Sequence, residues 1–224
     1  MMKKRHLVPL TAALAGALAV PAALAAPASA VTVTRATAAS DTGTTSLAEV
    51  LLADGDEFDG NWQDYDILTQ AVLAVLAAKP DSPVKVLTQG DVALTAFLPS
   101  DRAFQGLAKD LTKRGYGTEQ KVFDALVAAV GVDTIEQVLL YHVIPGATID
   151  SKTALKSDNA VLTTALPGAT IKVDVLSRFL KLVQLKDADP NDVNAFLNYR
   201  ALDINKGNAQ IAHGVTSVMR PADL

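Results

Sequence analysis

A change in hydrophobic periodicity partway along the chain constrains its fold more than any other feature. Up to about residue 140, apolar residues recur at helical spacing, as in the stripe from Ile67 to Leu76 that ends before Pro80. Beyond that point, short runs of β-forming residues separated by turn signals predict strands. Because helices dominate the first half and strands the second, the sequence predicts an α+β fold and not a parallel βαβ fold.

The same patterns place the individual elements. Apolar stripes and capping residues predict helices at 46–53, 67–76, 101–107, 122–130 and 135–139, with Gly131 separating the last two. Alternating or continuous β-forming runs predict strands at 92–98, 141–144, 159–163, 170–176 and 180–185. Two further runs, 210–212 and 215–219, flank His213 and Gly214, which predicts a tight hairpin with positive φ at the glycine. No internal repeat or flexible linker interrupts this region, so one domain is expected.

The first thirty residues have the composition of an export signal. A basic start containing Lys3, Lys4 and Arg5 precedes the apolar run 7–24, and the small-residue motif 28–30 follows it. These features predict a signal peptide at 1–30, cleaved after Ala30, and a secreted, extracellular protein. The alternative is a retained N-terminal anchor, because the uncharged run 7–30 is long enough to span a bilayer. An alanine-rich signal before one isolated domain is typical of bacterial secreted proteins.

The rest of the chain divides into two parts. Residues 31–45 are rich in Thr, Ala and Ser and predict a flexible leader, whereas 46–224 forms the expected domain. Without residues 1–30 the chain keeps 17 basic and 24 acidic side chains, which argues against general binding of nucleic acid. No second long apolar run follows, so no membrane span is expected in the mature chain. The absence of cysteine excludes disulfides and thiol chemistry.

Three segments together resemble the fasciclin (FAS1) domain. Residues 94–104 (LTAFLPSDRAF) are similar to the first signature of that family, and 139–146 (LLYHVIPG) to its central Tyr-His segment. Residues 213–221 (HGVTSVMRP) resemble the closing signature, although Ser217 and Arg220 replace the usual histidine and aspartate and His213 replaces an asparagine. The resemblance covers roughly residues 46–224. It implies a single domain in which a helical layer packs on a twisted β-sandwich or wedge.

The resemblance also implies structural roles for the first and last segments. Phe97 lies in a core strand that Pro99 ends, because proline has no amide hydrogen to donate. Ser100 or Asp101 is expected to accept hydrogen bonds from the first-turn amides of the next helix. The side chain of Phe104 is expected to face inward on that helix, and Gly214 to form the turn of the hairpin.

By the same resemblance, the function is non-catalytic adhesion or ligand binding at a cell surface or matrix. The partner would be an extracellular protein or a glycan of unknown identity. In some members of the family, the region around the Tyr-His segment is implicated in partner contact. The resemblance therefore makes Tyr141 and His142 candidate partner-binding residues. His142 has a second interpretation, as a buried imidazole that ties two backbone segments together. Trp62 and Tyr65 are either an exposed stacking patch or a cover over the neighbouring helix.

The sequence contains no familiar catalytic or metal motif. The mature chain has two histidines, and no G-x-S-x-G or H-E-x-x-H motif surrounds them or any serine. The acidic loop 54–66 and residues 187–192 both fail the EF-hand spacing, which leaves a solvated loop or a weak calcium contact at 54–66. We therefore predict no enzyme activity, no cofactor and no metal. The alternative is an exported hydrolase whose carboxylates meet only in three dimensions.

Overall fold

The structure is a computed structural model that describes residues 42–53, 55 and 57–224. The predicted signal peptide lies outside the described residues, as does the predicted leader up to residue 41. The amide of Gly43 donates to the carbonyl of Gly207 (2.8 Å), and the amide of Thr45 donates to Asn208 Oδ1 (3.0 Å). Residues 43–45 are therefore held against the folded domain.

Helices dominate the first half of the chain and strands the second, as the periodicity predicts, although β1 lies between two helices. The helices are α1 (Leu47–Ala53), α2 (Asp66–Ala78), α3 (Asp101–Thr112), α4 (Glu119–Tyr141) and the single turn α5 (Ser151–Ala154), with a 3₁₀ helix at Pro83–Thr88. The strands are β1 (Leu94–Pro99), β2 (Val143–Pro145), β3 (Val161–Thr163), β4 (Thr170–Ser177), β5 (Leu182–Lys186), β6 (Ala195–Phe196) and β7 (Gln210–Val215). The predicted α+β class is confirmed.

The strands form two sheets. The first has the order β2-β1-β7, and the second is the antiparallel sheet β3-β4-β5-β6. In the first sheet β1 is antiparallel to β2 and parallel to β7, with Leu94 opposite Gln210 and Pro99 opposite Val215. The parallel pairing brings the last strand of the chain beside the first.

Strand β1 separates two hydrophobic cores because its side chains alternate between the faces of the sheet. Leu94, Ala96 and Leu98 face the core shared with helices α1–α4. Phe97 faces the second core, which lies between the two sheets and includes Ile171 of β4. A helical layer therefore packs on one side of a β-sandwich, as expected. Within the described residues, no helix has both the length and the apolarity to cross a membrane.

Two of the predicted elements are wrong. Tyr141 ends helix α4 and His142 is its C-cap, so the predicted strand at 141–144 begins only at Val143. The predicted hairpin at His213 and Gly214 does not form, because both residues lie inside the continuous strand β7, which pairs with β1. Gly214 is not among the residues with positive φ.

Close packing explains why a glycine occupies position 214. A Cβ atom at this position would lie 2.7 Å from Ala201 Cβ and 2.8 Å from the Tyr65 hydroxyl. Both distances are shorter than van der Waals contact. The residue is thus required by the approach of neighbouring groups and not by a turn.

Candidate functional site

The three signature segments meet in space. Residues 94–99 form β1, and residues 143–145 and 210–215 form its neighbours β2 and β7. Behind this sheet, the amide of Met219 donates to His142 Nε2 at 3.0 Å. Phe97 and Met219 belong to the core between the sheets, whereas Phe104 belongs to the core under the helices. Pro99 is the last residue of β1.

His142 is fully enclosed and makes two hydrogen bonds to the backbone. Its Nδ1 donates to the carbonyl of Val138 at 2.7 Å, and its Nε2 accepts from the amide of Met219. These partners require a neutral ring with the proton on Nδ1. Burial lowers the pKa of His142 to about 4, so the ring is neutral at physiological pH. The imidazole ties helix α4 to the chain that follows β7.

Tyr141 is also buried, with no exposed surface. Its hydroxyl donates to the carbonyl of Thr170 at 2.9 Å, which joins the end of α4 to the second sheet. Partner contact through Tyr141 and His142 stays a prediction. In this structure both side chains face the interior, and the exposed residues next along the chain are Pro145 and Gly146.

Asp101 caps a different helix from the one predicted. Its Oδ1 accepts from the amide of Ile67 at 2.9 Å, so it caps α2, whose own N-cap residue Tyr65 makes no side-chain capping bond. Ser100 is the N-cap residue of α3, but its side chain accepts no capping hydrogen bond. The amide of Asp101 donates to the carbonyl of Asp64 at 3.1 Å, which fixes the loop before α2 against the start of α3.

Five carboxylates gather at this junction, and we call them the acid cluster: Asp59, Asp64, Asp66, Asp101 and Glu119. Three of them are the first residues of α2, α3 and α4. Carboxylate oxygens of Asp64, Asp101 and Glu119 lie within 4.8 Å of one another, and the same holds for Asp59, Asp64 and Asp66. No ion pair among the described residues involves the cluster.

Burial changes the acidity of the cluster. It raises the pKa of Asp101 to about 8, with the neighbouring Asp64 carboxyl as the next cause. Burial likewise raises the pKa of Asp66 to about 6. The four carboxylates other than Asp59 are at most 8% exposed, which leaves no access for a substrate of sugar or peptide size. The carboxylates of the hydrolase alternative thus meet, but in a closed place.

A second group of acidic residues surrounds the side chain of an arginine. Arg220 forms ion pairs with Asp110 (2.7 Å), Asp189 (3.3 Å) and Asp192 (3.3 Å). Its backbone amide donates to Asp187 at 2.9 Å. The guanidinium therefore places one positive charge among the carboxylates of the 187–192 loop, whose spacing partly resembles a calcium loop.

Comparison with known proteins agrees with this architecture. The family model of the fasciclin domain matches residues 68–219. The chain belongs to the fasciclin domain family. A solved FAS1 domain pair from the insect cell adhesion molecule fasciclin I shares the fold, with a TM-score of 0.51 and 16% sequence identity. The match covers 78% of this chain and 50% of that one. No curated protein matches the sequence.

Four of the exposed large apolar residues of this fasciclin domain, among them the most exposed of the described ones, Phe179, lie together on the β4–β5 hairpin. We call Leu176, Phe179, Leu180 and Leu182 the hairpin tip; Phe179 is 93% exposed and Leu180 67%. The tip also carries Arg178 and Lys181, both exposed, although the whole chain has a net charge of −4. A surface patch that is both apolar and basic is suited to contact with another molecule.

Sequence reasoning singled out the acidic loop 54–66, which supplies three residues of the acid cluster, but it missed Asp101 and Glu119 as their neighbours and missed the hairpin tip. Asp64, Asp101 and Glu119 are far apart in the sequence, and only the packing of three helix starts brings them together. Acidic residues at the first position of three helices were the available signal, but such residues are common without any ligand. In the sequence, the hairpin tip is an ordinary β-forming run. Its exposure depends on which face of the sheet is covered, and that is decided by packing.

Proposed function

We propose that this fasciclin domain is a non-catalytic, secreted binding module of the adhesion type, and that the hairpin tip is its contact surface. The exposure of Phe179 and Leu180 carries this proposal, since large apolar side chains in water mark interaction sites. Both histidines of the domain support a role without catalysis. His142 and His213 are each hydrogen-bonded at both ring nitrogens and are at most 4% exposed.

The chemistry of the tip favours a protein partner. Leucine side chains offer no hydrogen bond to sugar hydroxyls, whereas they fill apolar pockets on proteins. The flanking Arg178 and Lys181 favour carboxylates around such a pocket, which would also increase the association rate. The partner is therefore expected to present an apolar pocket with an acidic rim. Fasciclin I, whose domain pair shares this fold, is described as a cell adhesion molecule.

A peptide array tests the proposal. The probes are peptides with Leu or Phe anchors flanked by Asp or Glu, together with versions in which Lys replaces the acids. The wild-type protein is expected to bind acidic probes, and the double variant Phe179→Ser/Leu180→Ser at least about tenfold more weakly. Its thermal midpoint should stay within about 1 °C, since both side chains are exposed.

Val193→Ser is the matched control, because Val193 is 75% exposed and lies outside the hairpin. This variant should bind like the wild type. Equal binding of acidic and basic probes, or full binding by the double variant, would show that the tip is not the contact surface. Binding to anionic lipid vesicles in place of the peptides would assign the tip to membranes and contradict a protein partner.

A further inference from the structure

The acid cluster lacks the positive charge that its burial requires. Asp64, Asp66, Asp101 and Glu119 are buried, and none of them takes part in an ion pair among the described residues. The starts of α2, α3 and α4 meet here, and each helix N-terminus supplies about half a positive charge. The helix N-termini offset only part of the carboxylate charge, and a divalent cation would supply positive charge that the described residues do not place here.

Three buried oxygen atoms in the cluster have no partner. Asp64 Oδ1, Asp101 Oδ2 and Glu119 Oε1 accept no hydrogen bond from any described residue. The other oxygens of the last two groups do, since Asp101 Oδ1 accepts from Ile67 and Glu119 Oε2 accepts from the amide of Gly60 (2.9 Å). Asp101 and Glu119 are thus each held by one oxygen, while the second oxygen is buried and accepts no hydrogen bond from a described donor. A buried polar atom without a partner costs free energy unless a ligand binds to it.

We propose that the acid cluster is a binding site for a divalent cation, and that this cation is Ca²⁺. All the available side-chain ligands are oxygens, which hard cations prefer. Oxygens bound to one Ca²⁺ ion lie at most about 5 Å apart, and the two carboxylate triads, which share Asp64, stay within 4.8 Å. Mg²⁺ usually retains several water molecules, for which this closed site has little room.

The exposed side of the cluster and a comparison with the other acidic group support the proposal. Asp59 is exposed, so it marks the side from which an ion can enter. The other acidic group, at 187–192, differs from the cluster because a cation of the chain itself, Arg220, forms ion pairs with Asp189 and Asp192. At the acid cluster no arginine or lysine takes that place among the described ion pairs. Bound calcium would fasten the loop before α2 to the starts of α3 and α4.

Calcium titration of the purified full chain, stripped with a chelator, tests the site. The thermal midpoint is expected to rise by roughly 5–10 °C when calcium reaches about one hundred times its dissociation constant. Potassium chloride at the same ionic strength should produce no such rise. An unchanged midpoint at millimolar calcium would overturn the proposal.

Two variants separate binding from folding. Asp101→Asn keeps the oxygen that accepts from Ile67, and Glu119→Gln keeps the one that accepts from Gly60. Each replaces a buried carboxyl group with a neutral amide, so the calcium-free midpoint should stay equal or rise while calcium affinity falls at least tenfold. Asp81→Asn is the control, because Asp81 is fully exposed and distant in sequence from the cluster, and it should keep the whole response. A calcium response that survives in both cluster variants would contradict the assignment.

Terbium luminescence provides a second measurement that does not depend on stability. Trp62 and Tyr65 flank Asp64 in the sequence, so Tb³⁺ bound at the cluster should emit on excitation of these rings. The emission should be displaced by calcium and reduced in Trp62→Phe, since Trp62 is the only tryptophan of the chain. Absence of sensitised emission in the wild type would likewise count against the site.

Discussion

At the scale of the residue, His142 shows how one side chain can join distant parts of a chain. The ring bridges the carbonyl of Val138, one helical turn earlier, and the amide of Met219, near the C-terminus. Only neutral imidazole offers one donor and one acceptor in this arrangement, since a protonated ring would turn a donor toward the Met219 amide. The fold therefore favours the uncharged ring.

This preference predicts a dependence of stability on pH. The pKa of His142 is about 4 in the folded protein and near 6.5 in the unfolded chain, so the unfolded chain binds the proton first as the pH falls. The contribution is complete above pH 6.5 and is lost toward pH 4, and it amounts to about 3 kcal/mol. The free energy of unfolding, measured with denaturant at several pH values for wild type and His142→Gln, checks this prediction.

The comparison with His142→Gln isolates the imidazole, because all other titrating groups are common to both proteins. The wild type should be the more stable at pH 7, and its advantage should shrink as the pH approaches 4. An advantage that stays constant over this range would mean that the ring does not titrate as described.

At the scale of the element, helix α4 depends on a break at Gly131. This residue has φ 73° and ψ 167°, a combination that is essentially restricted to glycine. The break separates the part that begins at Glu119 from the part that ends at Tyr141, and it was predicted from the sequence. A Cβ at Gly131 would meet no atom within 4 Å, so only the backbone conformation requires glycine here.

Alanine at the break in α4 and alanine inside α3 should therefore have opposite effects on the free energy of unfolding. Gly131→Ala is expected to lower the free energy of unfolding by about 1–3 kcal/mol, because alanine rarely adopts this conformation. Gly106→Ala, inside α3, is expected to raise it by about 0.5–1 kcal/mol, since its Cβ also meets no atom and alanine favours helix. Denaturant unfolding of both variants measures the two changes. Equal effects would show that the break at Gly131 carries no conformational strain.

At the scale of the whole molecule, Arg220 connects three regions. It joins the C-terminal segment to Asp110 at the end of α3 and to Asp189 and Asp192 in the loop between β5 and β6. The side chains of Asp189 and Asp192 are at most 9% exposed, so they depend on this cation for neutralisation. In this chain an arginine stands where the related signature has aspartate.

Removal of this cation should destabilise the fold strongly. Arg220→Gln is expected to reduce the free energy of unfolding by about 3–5 kcal/mol, because it leaves buried carboxylates without a partner. Arg102→Gln serves as the control, since Arg102 is exposed and should change the value by less than about 0.5 kcal/mol. Chemical denaturation at neutral pH measures the free energy of unfolding of both variants and of the wild type. A small effect of Arg220→Gln would indicate that water already solvates the loop.

The sequence predicted what depends on local patterns and missed what depends on packing. The helix stripe from Ile67, the break at Gly131 and the α+β class follow from periodicity and backbone preference. The role of Gly214 and the partner of Asp101 do not, because each is decided by a group from another element. The acid cluster is of the second kind, since its members become neighbours only after three helices have packed.

The parallel pairing of β1 with β7 affects how the protein is made. Residues 100–209 separate the two strands, so a chain growing on the ribosome exposes one side of β1 until residues 210–215 have been translated. A product that stops before residue 210 lacks both this strand and the Met219 amide that His142 requires. Such a fragment presents unpaired backbone groups to its neighbours, which is the condition for aggregation. Synthesis through residue 219 is thus a precondition for solubility, and termination before residue 210 should yield material that proteases remove.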